Sequence, residues 1–188
     1  MRLAKRRNGL RPLYSSMSND VQGYFSDLPA LVASSFGSEI ILAYAFLRLE
    51  QGQYQTLYCA ARKLHKTETD LTKRALDRQH MTRGAYLEFF KTILGFPIDN
   101  NIQSIIEAAE EIRDRVVHGK RVSETEKLEA ISRVLHYSDR MNEFIAVHKK
   151  LRFRPFSERI RGFSGSLSSL DKATTRWILK GMGFNNVG

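Results

Sequence analysis

Residues 110–122 read EEIRDRVVHGKRV, and three of them carry side chains suited to chemistry on a phosphodiester: Arg113, Asp114 and His118. Arginine keeps its charge and offers a planar fork of donors to phosphate oxygens. Histidine exchanges a proton near neutral pH, and a carboxylate four residues before it on a helix can fix its tautomer and favour its protonated form. Asp114 stands at that spacing from His118. The pattern gives Arg113 the holding of an anion, His118 proton transfer, and Asp114 the support of the imidazole. Lys120 and Arg121 follow directly and are placed to meet RNA beside the site.

Helix geometry sets a condition on this group. At about 100° per residue, Arg113 and His118 diverge by about 140° and cannot readily address one phosphate from a single regular helix. Either the last turn unwinds toward Gly119, or a two-fold dimer lays two such helix ends against each other. The same residues also have a purely structural use. Glu110 and Glu111 can pair with Arg113 and Arg115 on the helix surface, and a cationic His118 suits a helix C-terminus.

The elements that must position these residues read as helices throughout, because no stretch alternates polar and apolar for long. From Ile40 a stripe of Ile40, Tyr44, Leu47, Gln51, Tyr54, Tyr58 and Ala61 predicts one long helix ending near Lys66, weakened by Gly52. A second helical region is expected from about Leu71 to Leu94, broken near Gly84 and stopped by Gly95 and Pro97. The third carries the EEIRDRVVH segment: Asn100 or Asn101 caps it, Ile102, Ile105, Ile106, Ala109, Ile112 and Val116 form its buried stripe, and Gly119 ends it. A fourth opens on the capping-box spacing of Ser123 and Glu126 and runs to about Lys149. A short helix over Leu170–Lys180, with Trp177 and Ile178 to bury, closes the chain. The expected fold is an all-α, up-and-down bundle of about four long helices plus that short C-terminal one.

The chain has 188 residues and a net charge of +10. Residues 1–19 carry five cations and no acid, and residues 149–188 carry nine cations against Glu158 and Asp171. Removing those surpluses of five and seven leaves the middle, 20–148, at −2. The organisation this predicts is a basic N-terminal tail (1–19), a helical domain (20–149) and a basic C-terminal extension (150–188). Basic flanks on a near-neutral body suit a polyanion, since each neutralised phosphate releases a counterion. In the extension, RFRPF and RIRGF interleave Arg152, Arg154, Arg159 and Arg161 with Phe153, Phe156 and Phe163. The arginines are candidates for RNA phosphates and the rings for unpaired bases, the alternative being rings that anchor the segment to the bundle.

Other chemistries have little support. Cys59 is a lone cysteine, which leaves no disulfide within one chain and fits a reducing cytoplasm. His65, His80, His136 and His148 lack metal-ligand spacing, so neither metal nor cofactor is expected. No phosphate-binding GxxxxGK[ST] loop, GxGxxG or GxSxG motif occurs. The apolar run Leu28–Leu47 is broken by Pro29, Gly37, Ser38 and Glu39 and reads as a core helix, with no membrane partner expected.

RDRVVH, residues 113–118, on the penultimate long helix of a helical bundle resembles the Arg-x4-His motif of the HEPN superfamily (higher eukaryotes and prokaryotes nucleotide-binding domain). Asp114 stands where that family often has asparagine. The resemblance implies a metal-independent endoribonuclease whose site forms at a homodimer interface, with two arginines and two histidines facing one RNA backbone. One histidine would take the proton of a ribose 2′-hydroxyl, the partner's would protonate the leaving oxygen, and Arg113 would stabilise charge at phosphorus, leaving a 2′,3′-cyclic phosphate. Such enzymes often act as toxins or anti-phage effectors with a cognate antitoxin, while many relatives only bind nucleotides or partners. The alternatives are a non-catalytic nucleic-acid or partner-binding module of the same fold, and a helical transcriptional regulator reading DNA with Lys172, Arg176 and Lys180.

Overall fold

The computed structural model describes residues 1–185 and 187. Among them are nine α-helices: α1 (Leu10–Ser15), α2 (Asn19–Tyr24), α3 (Leu28–Ala33), α4 (Ser38–His65), α5 (Thr69–Asp77), α6 (Arg83–Leu94), α7 (Asn100–Val117), α8 (Glu124–Ala146) and α9 (Lys172–Gly181). The described residues form no strand, only one isolated bridge between Arg154 and Arg161. The protein is an all-α bundle. None of these helices is long and apolar enough to cross a membrane.

The frame is α4, α7 and α8. α7 and α8 form a helical hairpin, and the other face of α8 packs along α4. Ser38 at the start of α4 bonds Glu124 at the start of α8, so the C-terminal end of α7 lies near the N-terminal end of α4. On α8, Leu128, Ile131, Leu135, Ser138, Met141 and Ile145 are buried, stepping by three and four residues along the helix. α7 buries Ile102, Ile106 and Ala109, with Ile105, Ile112 and Val116 partly covered.

Several local expectations shift. The break between α5 and α6 falls at residues 78–82 and not at Gly84, because the Thr82 side chain caps α6 and leaves Gly84 inside its first turn. Asp99, and neither Asn100 nor Asn101, caps α7. The apolar run from Leu28 splits into α3 and α4 at residues 34–37. On α4 the buried face is turned by one residue from the expected stripe: Ile41, Ala45, Leu49 and Thr56 are inside, while Ile40 and Leu47 are about half exposed (51% and 54%). Described residues near both ends of the chain, Leu13 and Val187 among them, reach the core. In the basic N-terminal stretch Leu10 and Leu13 are buried, and the Arg7 guanidinium donates to the carbonyls of Leu31, Val32, Ser34 and Phe36.

The extension after α8 is anchored in the core. Phe153 and Phe156 are fully buried, and Phe163 meets Tyr58 edge-on. Phe156 lies against Gly52 of α4, where a Cβ would come within 2.0 Å of its ring. Gly52, which lowers helix propensity, is therefore the socket for that phenylalanine. Arg62, also buried, donates to Thr67, Leu167 and Ser169 and ties the return of the chain to the end of α4.

Candidate functional site at the end of α7

α7 stays regular to its end. Gly119 (φ +67°) donates to the Val116 carbonyl and Lys120 to that of Arg115, the paired bonds of a Schellman stop. The last turn is thus closed by hydrogen bonds, and the unwinding that could swing His118 toward Arg113 is absent. His118 is the C-cap, its N–H donating to the Asp114 carbonyl, and it is exposed at the surface.

Arg113 points the other way, into the border between α7 and α4. Its guanidinium lies 3.0 Å from a Glu50 oxygen and 3.0 Å from Asp114 Oδ1, and it sits over the Phe46 ring at 5.2 Å. The side chain remains 35% exposed, so its edge is open to solvent. The Asp114 carboxylate is turned onto Arg113 and not onto the His118 ring, so the expected carboxylate–imidazole support is not formed. Arg113 and Arg115 take Glu50 and Glu126 as partners, not the neighbouring Glu110 and Glu111.

Arg113 and Asp114 line a cleft of about 750 Å³ between α4, the α5–α6 turn and α7. Its apolar floor includes Phe46, Leu49 and Leu76, and its walls carry Glu50, Asp77, Glu107, Glu110, Glu111 and Asp114 against Arg83 and Arg113. The acidic stripe of α7 faces this cleft. Arg83 bonds Glu107 and lies 3.4 Å from Glu110 Oε2, too poorly aligned for a hydrogen bond. Burial pushes the Glu110 carboxyl above its ordinary range, which Arg83 and Arg113 only partly offset. Such a wall repels a phosphate backbone, so only the outer edge of Arg113 is suited to one.

The Ser123–Glu126 box forms as expected and fixes the loop after His118. Glu126 accepts from the Ser123 hydroxyl and N–H and also from Arg115, whose other branch donates to the Arg121 carbonyl. The Ser123 hydroxyl, then its backbone N–H, then Arg115 hold the Glu126 carboxyl down to about 2 from an ordinary 4.5. A depressed acid stabilises the fold above its unfolded value, and that stabilisation is lost as pH falls through its folded one. Between about pH 4.5 and 2, thermal stability should therefore decline less steeply in Glu126→Gln than in the parent. Parallel declines would show that this carboxylate has no part in acid unfolding.

Of the remaining predicted RNA contacts, only those next to His118 lie at the end of α7. Lys120 and Arg121 are exposed beside His118. Asp20 holds Arg154 at 2.9 Å and Arg161 at 3.3 Å, while Arg152 and Arg159 are exposed with no ion pair to a described residue. That segment docks at Gly52, about 140° around α4 from Phe46 and Glu50. The structure therefore keeps the arginines of the extension apart from the cations beside His118. His65 and His136 engage the carbonyls of Ile93 and Arg2, and His148 stacks on Phe96 at 3.9 Å. No group of three or more metal-ligating side chains occurs among the described residues.

Glu50 is the residue that the sequence reading missed. Its pairing with Arg113 spans 63 positions, and no local pattern announces it. No family model, curated protein or solved structure matches the chain.

Proposed function

We propose that the chain acts on RNA as a HEPN-type homodimer, cleaving it without a metal through Arg113 and His118 contributed by two subunits. The observation that carries this reading is the apolar surface left open at the motif. Val117, next to His118, is 72% exposed, and Ile40, Ala43 and Leu47 step along the open edge of α4 from Glu50 toward the end of α7. A two-fold that covers these side chains would set the two α7 ends side by side. Because the Schellman stop closes the unwinding route, a second chain is the remaining way to bring a guanidinium and an imidazole to one phosphate. A toxin or anti-phage role with a cognate antitoxin belongs to the same proposal. The test is incubation of purified protein with RNA in excess chelator: cleavage to 2′,3′-cyclic ends supports it, and intact RNA removes catalysis from it.

One observation favours a second reading, a non-catalytic RNA- or partner-binding module. Arg113 is already neutralised by Glu50 and Asp114. For it to meet a phosphate, those carboxylates must release it. Asp114→Asn, which restores the amide common in the resembling family, and Glu50→Gln should each raise RNA affinity about fivefold. That is the order of one charge pair at about 4 Å in water, about 1 kcal/mol. Cleavage rising in parallel favours the nuclease, tighter binding of intact RNA favours the module, and no change in affinity would exclude Arg113 from the RNA surface.

A further inference from the structure

Trp177 contradicts the expectation that it anchors the last helix: it is 77% exposed. The inward side of α9 is made by Thr175, Leu179 and, just beyond the helix, Met182. At about 100° per residue these lie opposite Trp177, which therefore points straight away from the body. Of the aromatic side chains among the described residues, only Phe36 and Trp177 are exposed. An indole left in water forgoes the largest apolar burial of any side chain, and the fold does nothing with it.

Its surroundings on α9 are ordered in a way that points to one kind of ligand. Ala173, Thr174 and Gly181, within about 60° of Trp177 around the helix, are small and leave the ring face open. On one flank Lys172, Arg176 and Lys180 are spaced i, i+4, i+8 and form a cationic ridge with a rise of about 6 Å per step. Asp171, whose two oxygens accept from Thr174 in the helix cap, makes no ion pair with that ridge. The helix is also firmly seated. The Thr175 hydroxyl accepts from Glu68 N–H, Leu170 N–H donates to the Lys66 carbonyl, and Phe184 stacks on Phe89 at 4.5 Å.

We infer that α9 is a stacking platform for single-stranded RNA, with an unpaired base on the Trp177 indole and its backbone along Lys172, Arg176 and Lys180. An open aromatic face beside a row of cations is the arrangement that binds single strands with little sequence preference. A lipid surface fits less well, since α9 turns its other apolar side chains, Leu179 and Ile178, toward the bundle. The inference rests on the RNA reading above for its ligand class, and its own readout is independent of cleavage.

Trp177 is the only tryptophan in the chain, so indole emission excited selectively over the tyrosines reports on this site alone. Titration of the His118→Ala protein with a 12-nucleotide oligouridylate should quench and shift that emission. Trp177→Ala should weaken binding of the same labelled oligonucleotide about five- to a hundredfold by anisotropy, with unchanged thermal stability, and Trp177→Phe should restore part of it. Lys172→Gln or Lys180→Gln should lower the salt slope by about one. Binding of the labelled strand with unaltered emission and no effect of Trp177→Ala would overturn the platform while leaving the RNA reading in place. No binding at all would remove both. Emission shifts driven by anionic vesicles, by duplex DNA or by protein concentration alone, without the oligouridylate response, would assign the indole to a membrane, a duplex or a second copy and overturn the inference.

Discussion

Asn142→Ala should cost the fold about 3 kcal/mol, the sum expected when two buried main-chain groups each lose a partner at about 1–3 kcal/mol. The Asn142 amide, fully buried on α8, donates to the Phe156 carbonyl at 2.8 Å and accepts from the Phe156 N–H at 2.9 Å. Those two bonds hold the residue whose ring fills the Gly52 socket and meets Tyr24 and Tyr137 edge-on. An alanine removes both bonds at once, and no water can reach a site with zero exposure on both sides without opening it. For a chain of this size the melting point should drop by about 6–12 °C. Urea unfolding gives the free energy directly. A loss below about 1 kcal/mol would mean that the rings alone seat the extension and that the amide pairing is incidental. An Asn142→Asp variant keeps the volume and one acceptor but loses the donor and buries a charge beside a carbonyl, so it should be at least as damaging.

The features that could be read from the sequence are those whose cause lies within a turn or two of chain. The box of Ser123 and Glu126, the stop at Gly119 and the apolar stripe of α7 depend on neighbours three to six positions apart, and all of them form. The long helix through Ile40 could be read for the same reason, but not which side it buries. Ile40 and Ile41 are equally apolar, and only the placement of α8 decides that Ile41 goes inside. Gly52 scores as a weak point until Phe156, 104 positions on, is seen to need the space. At the candidate site the split is similar. The exposure of His118 and the half-burial of Arg113 follow from helix angles. The capture of Arg113 by Glu50 does not, and neither does the diversion of Asp114 from the imidazole to the guanidinium. Trp177 departs from expectation because the apolar area of an indole favours burial, whereas α9 meets the bundle through Thr175 and Leu179.

In the proposed nuclease, His118→Ala should reduce metal-independent RNA cleavage about 10²–10⁴-fold, the range for losing a positioned proton-transfer group. Arg113→Ala should cost about 10²–10³-fold through lost charge stabilisation at phosphorus. Neither is expected to disturb folding in proportion: His118 is exposed, and Arg113 makes ion pairs that are one-third or more solvent-open. The decisive measurement mixes the two inactive proteins. On a regular α7 the two side chains of one subunit diverge by about 140°, so the proposed site must take its guanidinium and imidazole across the two-fold. A mixed dimer of Arg113→Ala and His118→Ala subunits keeps one intact pair of that kind, His118 from the first and Arg113 from the second. Cleavage should then rise at least tenfold above either parent and should vanish on dilution below the dimer's dissociation constant. If the two groups instead worked within one chain, every chain in the mixture would carry a lesion and no recovery could occur. Absence of recovery with a verified mixed dimer would rule out a site that works with one guanidinium and one imidazole taken across the two-fold.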